Sequence, residues 1–538
     1  MAEREGFEPP RRYYRPTGIR SQTLQPLGYL STAMVIITYR PAHFQENKSF
    51  ACTSVCANLF QFFRNSSEGY VIIALSIYRG ANSAEMQDQS SNTLNRITNG
   101  IIWKEMLIFF FPLAVGSFVQ QLYNTADAVI IGRFVGKAAL AAVGGPAMTL
   151  TYIVITFFNG LFAGVTVIIA QRYGADDSSG LHRALHTAYA FGIAASIAVT
   201  AAGLLSSPAL LRWMGTPDEI MGPSLTYLKI WFGGVSATIL YNLGSSVMRA
   251  VGDSRRPLLY LVICSVLNIL LDIIFVVVLH KGIPGAAAAT VISQAVSAVL
   301  VTGSLMRSYD SMHLRLTGIA FDRRMLSSQL RIGFPGSLQA LTYGLTNIII
   351  QAGINSFGTD TIAAWAAYGK LDVVYWVFCS ALTITATTFC GQNYGAGRTD
   401  RIFRCVRTIL LISMVTSIIV IGLFCGFARP LLSLFLRDSK VIGIGVHMIY
   451  FLVPTYIICS LIEILSGCLR GFGDVKWPTV FTLGGILLVR TPWLLLLLPR
   501  MHTIQIVLMS YPVSWISTAV LLIPYYFMRK KQITGSGY

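Results

Sequence analysis

Apolar stretches of about 20 residues recur along this chain from Ile101 to the C-terminus, and at ~1.5 Å of helix rise per residue each is long enough to cross a bilayer core. The run LLYLVICSVLNILLDIIFVVVL, Leu258 to Leu279, is representative: 22 residues without a Lys or Arg. Inside hydrocarbon every backbone N–H and C=O needs an internal partner, so recurring runs of this length specify α-helices. Composition agrees. Of 538 residues, 54% are hydrophobic and 12% charged, about half the charged share of a soluble domain. The chain reads as an all-α polytopic membrane protein, with the lipid bilayer as its first partner.

A formal net charge of +18 would suit a polyanion, but the charges sit in short loops between apolar runs. No nucleic-acid partner is expected. Of nine cysteines, seven lie in or beside predicted spans, and Cys52 and Cys56 lie in the N-terminal segment. Without metal-ligand spacing they read as ordinary thiols. Residues 1–85 differ from the rest: MAEREGFEPPRRYYRPTGIRSQTLQPLGYLST lacks periodicity, and its apolar pieces AMVIITYRPA and YVIIALSIY are too short to span. This segment is expected to be a disordered or spurious extension, resembling translations that run through a transfer-RNA gene, with the functional start at Met86.

Apolar windows bounded by charge, Gly and Pro predict twelve spans, near 105–131, 139–168, 185–206, 223–247, 258–279, 285–306, 332–355, 361–389, 408–428, 443–467, 479–498 and 503–527. One alternate set of loops, with the C-terminal tail, holds 19 Lys and Arg; the opposite set holds about eight. The positive-inside rule puts the first set and both termini in the cytosol. The spans also repeat. RYGADD (Arg172–Asp177) returns as NYGAGR (Asn393–Arg398), and MRAVGDSRRP (Met248–Pro257) as LRGFGDVKWP (Leu469–Pro478), both 221 residues later. FPLAVGS at Phe111 returns as FPGS at Phe334. An offset of six helices preserves membrane orientation, so these are two parallel six-helix lobes, expected at 86–306 and 332–527. A cytosolic linker (307–331) and a tail (528–538) complete the chain. Such repeats suit rocking about a central cavity.

Four acidic residues lie in the interior of predicted spans: Asp127, Asp272, Asp372 and Glu463. A charge at the bilayer centre costs about 2.5–3.5 kcal/mol even on lenient scales, so each needs a reason. Asn268 is one turn before Asp272 and shares its face. Gln120, Tyr123 (or Asn124) and Asp127 form a second stripe on the first span. Carboxylates flanked by neutral oxygens can bind a hard cation. They can equally carry a proton, because ionising a carboxyl in low dielectric beside another carboxylate is costly. The bland alternative is interhelical bonding without change of state. In the second lobe Asp372 sits with Lys370, and Arg490 is expected to be the counter-ion of Glu463 or Asp372, as a structural pair or a polar substrate site. Trp365, Tyr368, Tyr375 and Trp376 read as packing or as a cation–π surface. His182 and His186 are weak evidence for a metal.

Several ordered segments resemble multidrug and toxic compound extrusion (MATE) transporters of the bacterial branch. They are QQLYNTADAVIIGRFVG in the first span, VMRAVGD before the fifth, LNILLDIIF within it and GQNYGAG after the eighth. The resemblance runs from about Gly100 to the C-terminus. It implies a V-shaped twelve-helix antiporter in a bacterial cytoplasmic membrane that exports small organic cations in exchange for H⁺ or Na⁺, without a cofactor, as a monomer. It implies a cation-linked cluster of Asp127, Asn268, Asp272 and Thr290, with Gln120 and Tyr123 nearby. That cluster is the place for Na⁺; no other metal is expected. Pro112 matches a proline where the first helix can bend. The sequence departs from relatives at Cys459 and across the seventh span, where acidic residues are missing. The alternative function is flipping of a lipid-linked or polysaccharide precursor. Its phosphates would favour a cationic cavity, whereas the first-lobe spans carry acids. The chain has no GxxxxGK[ST], HExxH or GxSxG, and an enzyme is not expected.

Overall fold

The structure, a computed structural model, describes residues 96–307 and 312–535. The expected N-terminal extension with Cys52 and Cys56, and linker residues 308–311, lie outside the described residues. Twelve long helices follow one another: α1 (Ile102–Val135), α2 (Lys137–Gly174), α3 (Ser178–Trp213), α4 (Asp218–Ala250), α5 (Arg255–Val278), α6 (Gly282–Arg307), α7 (Arg323–Asn355), α8 (Thr359–Gly395), α9 (Thr399–Gly426), α10 (Ser439–Gly471), α11 (Lys476–Leu497) and α12 (Ile504–Gly535). Each of the twelve predicted spans falls on one of them. Ten are long and apolar enough to cross a membrane. The other two, α4 and α7, are less apolar because their faces carry Ser, Thr, Asn and Gln toward neighbouring helices.

Helix ends overrun the predicted spans where charge sets in. α7 begins at Arg323 rather than 332, because the Asp322 carboxylate accepts the amides of Arg324 and Met325 (2.8 and 3.1 Å) and so caps it. α3 is capped likewise: Asp177 accepts the Gly180 amide at 2.8 Å and the Arg172 guanidinium at 2.7 Å. The Gly180 amide and then Arg172 hold the Asp177 carboxyl below the usual carboxylate range. This cap is therefore intact at neutral pH and is lost as acid protonates it. α12 runs to Gly535 past Arg529, Lys530 and Lys531, since a helix needs no lipid to keep its own hydrogen bonds. The histidine pair ties the linker down. His182 and His186 stack at 3.8 Å, and the His186 Nε2 accepts the Arg315 N–H at 3.0 Å.

Two apolar cores separate the halves. One gathers α2–α6 with the end of α1; the other gathers α8–α10 and α12. α1 belongs to both. Before Pro112 it buries Met106, Phe109 and Phe110 in the second core, with Phe109 edge-on to Phe389 at 5.9 Å. Beyond it, Gly116 faces Leu258 and Leu261 of α5. The helix stays continuous through Pro112, whose missing N–H leaves the Ile108 carbonyl without its helical donor. The proline thus marks where α1 passes from one lobe to the other.

Hydrogen bonds cross between the lobes along the α2–α7 seam, where the Ser337 hydroxyl donates to the Phe157 carbonyl at 2.7 Å, and at the basic end. Gln171 of α2 donates through Nε2 to the Gly471 carbonyl (2.8 Å), and Gln392 of α8 donates to the Ala250 carbonyl (2.7 Å). Both donors and both acceptors are related by the 221-residue repeat. So are two close backbone approaches: a Cβ on Gly174 would overlap the Gln392 carbonyl oxygen, and a Cβ on Gly395 that of Gln171. The result is a pseudo-twofold clasp that fastens α2 to α8 and α10, and α8 to α4, at this end. Asn393, Arg398 and Arg401 add bonds to the Ile97, Thr98 and Gly100 carbonyls. Replacing Gly174 or Gly395 by Val should force the clasp apart. Spin labels at Ser178 and Arg404 should then report a longer, broader distance than in the unsubstituted chain.

Candidate cation-coupling site and family

The structure brings the first-lobe polar residues together. Asp127 reaches in from α1, Asn268 and Asp272 from α5, and Thr290 from α6. The Asp127 and Asp272 carboxyls face one another within direct interaction range. Asp272 is 0% and Asn268 1% exposed. Local sequence explains the placement. α1 and α5 pack along their length, and the one-turn spacing of Asn268 and Asp272 turns both toward α1 and α6. Immediately after Asp272 the helix widens into a π-turn (Ile273–Val278), and α1 does the same at Ile131–Val135. π-turns inside α-helices frequently mark functional sites.

The polar inventory does not close by itself. Buried and without a hydrogen-bond partner are Oδ1 of Asp127, both carboxylate oxygens of Asp272, and Oδ1 and Nδ2 of Asn268. Buried polar atoms are normally paired, because leaving one unmade costs about 1–3 kcal/mol and more when charged. Four of these five atoms are oxygens, and two facing carboxylates repel at low dielectric. The chemistry that resolves both is a positive charge between them. A monovalent hard cation fits an oxygen-rich set, and protons fit the same oxygens.

Sequence reasoning missed one member. Tyr227 of α4 is buried and in electrostatic reach of Asp127, Asp272, Tyr123 and Thr290. A tyrosine on an otherwise ordinary span carries no signal in a single sequence, because a packed phenol reads the same way. Tyr123 neighbours Asp127, Gln120, Tyr241 and Cys264. Gln120 itself is exposed, on the rim rather than in the cluster. Thr290 donates to the Ala286 carbonyl at 3.1 Å within its own helix, leaving its oxygen free to accept.

In the second lobe the expected ion pair does not form. Arg490 makes no salt bridge with Glu463, Asp372 or any other described carboxylate. Its Nε and Nη2 donate to the Ser514 hydroxyl (3.0 and 2.6 Å), and its guanidinium lies 4.5 Å over the Tyr511 ring. The reason is positional. α12 offers a hydroxyl and a ring face in register, so the guanidinium turns to them although Glu463 lines the same small cavity. Asp372 accepts instead from the Tyr456 hydroxyl and, at 3.1 Å, from Trp376 Nε1. Lys370 is exposed. Tyr368 and Tyr375 are buried against Tyr456, at 2.7 Å between the Tyr368 and Tyr456 hydroxyls and 4.0 Å between the Tyr375 and Tyr456 rings. Those two aromatics are packing, not an open cation surface.

If a cation is the missing partner, the detergent-purified chain should gain thermal stability on titration with NaCl at fixed ionic strength, or on acidification alone. Asp127→Asn and Asp272→Asn should each flatten that response. Tyr227→Phe should keep the fold and shift the ion concentration needed.

A family model described as MatE matches residues 112–274 and 335–495, one block in each lobe. The chain is 26% identical over 444 residues to the probable multidrug resistance protein YoeA of Bacillus subtilis, covering 80% of this chain and 96% of that one. It is 22% identical to the probable multidrug resistance protein NorM of Thermotoga maritima, covering 73% and 84%. Its fold matches the crystal structure of MATE in the bent conformation at a TM-score of 0.77 and 22% identity, covering 83% and 99%. With more than half its length matched by the family model and both lobes in their expected order, this multi-pass membrane protein belongs to the MatE family.

Proposed function

We propose that the chain is a secondary-active exporter that expels amphipathic organic cations in exchange for H⁺ or Na⁺. One observation carries this reading: two facing carboxylates and an asparagine amide, buried with five unpartnered polar atoms. A site short of a positive charge accepts either a coupling ion or a cationic cargo, and competition between the two makes an exchanger. On this reading the positive-inside asymmetry puts the clasped end in the cytosol. Rocking of the lobes, with release of the Gln171 and Gln392 bonds, would expose the same site inward. The multidrug names of the relatives support the substrate class. The bacterial cytoplasmic membrane, cytosolic termini and a monomeric state belong to this same reading.

The mechanism asks little of the protein chemically. Asp127 and Asp272 exchange one positive partner for another, Asn268 and Thr290 supply neutral oxygens, and Tyr227 and Tyr123 wall the pocket. Proteoliposomes loaded with a cationic dye, with Na⁺ and pH gradients imposed separately, test it. Efflux should follow one gradient and fall to background in Asp127→Asn and Asp272→Asn, while both variants insert normally. Undiminished efflux in both would refute the coupling role.

A further inference from the structure

The stretch that leads into α7, Arg315 to Asp322, is held against α3 mainly by polar bonds. Just before it, Met312 and Leu314 are buried in the first-lobe core. Within it, Leu316 and Phe321 are exposed, and Ile319 packs partly against that core. Two side chains of α3 do the holding. The Thr187 hydroxyl donates to the Ala320 carbonyl at 3.4 Å and accepts the Asp322 N–H at 3.1 Å. The His186 Nε2 accepts the Arg315 N–H at 3.0 Å. The same ring lies against Gly318, where an added Cβ would come within 3.2 Å of it. The docked stretch also sets the start of α7: Asp322 caps that helix, and two turns on Gln329 donates to the Ala184 carbonyl of α3 at 2.8 Å.

These bonds fix the charge state of His186. A backbone N–H can only donate, so Nε2 must accept, and the ring proton lies on Nδ1, which donates to the His182 carbonyl at 2.7 Å. The ring is neutral in this conformation. A second proton could go only on Nε2, where it would displace the Arg315 N–H. The surroundings sharpen the conflict. His182 stacks on His186 with ring centroids 3.8 Å apart, so two imidazolium charges would repel at contact. The charged side chains set about the pair are Arg183 on α3, Arg315 and Asp322 on the linker and Arg324 on α7, with Asp322 4.0 Å from Arg183. The Met325 amide first, and then that of Arg324, hold the Asp322 carboxyl below the usual carboxylate range. The cap therefore stays ionised over the range in which an imidazole changes charge.

We propose that His186 is a proton sensor: protonation of its Nε2 releases Arg315–Asp322 from α3 and frees the first turns of α7. Docking and the second proton exclude one another, so the stretch is docked at alkaline pH and released as the pH falls from about 8 toward 5. The sensor stands on the linker geometry alone. That it reads cytosolic pH, and so loosens the basic end when the cytosol turns acid, rests on the exporter reading.

Hydrogen–deuterium exchange of residues 312–322, in the purified full chain in neutral-lipid nanodiscs, reads docking directly. The intrinsic pH dependence of exchange cancels when each rate is divided by that of His186→Gln, whose side-chain oxygen can accept the same N–H without titrating. The quotient should be near one at about pH 8 and rise about three- to tenfold near pH 5.5, the worth of one hydrogen bond. His186→Leu, with no acceptor, should exchange fast at both pH values. His313→Gln, which removes the other imidazole of this segment, should leave the rise in place. A flat quotient, a His186→Leu linker as protected at pH 8 as the unsubstituted one, or loss of the rise in His313→Gln would overturn the assignment. Should neither His186 variant insert, the unsubstituted chain suffices. Its linker exchange divided by that of the hydrogen-bonded Gly215 and Thr216 amides in the α3–α4 turn should show the same rise, and a constant value would refute the sensor. Acid release of the linker without dye efflux from proteoliposomes at any pH would keep the sensor and reject the exporter reading instead.

Discussion

Low dielectric is the constraint on which the structure depends. A bilayer interior tolerates a helix at no hydrogen-bonding cost, yet makes each uncompensated charge expensive. Everything distinctive here is a response to that second condition. Asp127 and Asp272 face one another across α1 and α5; Asp372 is satisfied by two neighbouring side chains; Arg490 is cushioned by a hydroxyl and an aromatic face. Of these, the aspartate pair alone keeps carboxylate oxygens without a hydrogen-bond partner.

Closure at the basic end follows a different logic. The clasp uses neutral amides bonding to backbone carbonyls, with glycines that let main chains touch. Such bonds are individually modest, about 0.5–1.5 kcal/mol net each, and water replaces them readily when the lobes part. A salt bridge buried in the same place would be harder to open, because separating it exposes two charges to an interface still partly dry. A gate that cycles is better built from amides than from ions. The exposed pairs, such as Lys440 with Asp360 at 2.9 Å, sit where opening does not require breaking them.

Much of this was legible in the sequence, and the limits have physical causes. Apolar run length locates all twelve helices, because bilayer thickness imposes it. The 221-residue offset predicts two parallel lobes, and the one-turn spacing of Asn268 and Asp272 predicts a shared face. Helix ends were less legible: Arg323 to Ile332 looks like loop by hydropathy, but the Asp322 cap and water-satisfied side chains extend α7 through it. Partners across helices were the least legible. Arg490 was expected to meet Glu463 or Asp372, since opposite charges suggest pairing. The guanidinium turns instead to residues 21 and 24 positions away on α12, a matter of rotation that no single sequence encodes. Tyr227 was invisible for the same reason.

The repeat itself explains why the lobes differ where they do. A duplicated bundle begins with two equivalent pockets, and the clasp preserves that equivalence: Gln171 with Gln392, Gly174 with Gly395, Ala250 with Gly471. Symmetry is useful there, because two lobes that rock against each other share one hinge and one seal. The polar centres are not alike: carboxylates face one another in the first lobe, and a guanidinium set against a hydroxyl and a ring stands in the second. Symmetry is thus kept at the clasp, where the halves meet through paired amides and glycines, and lost at Ile269 and Arg490, where each lobe packs a different interior.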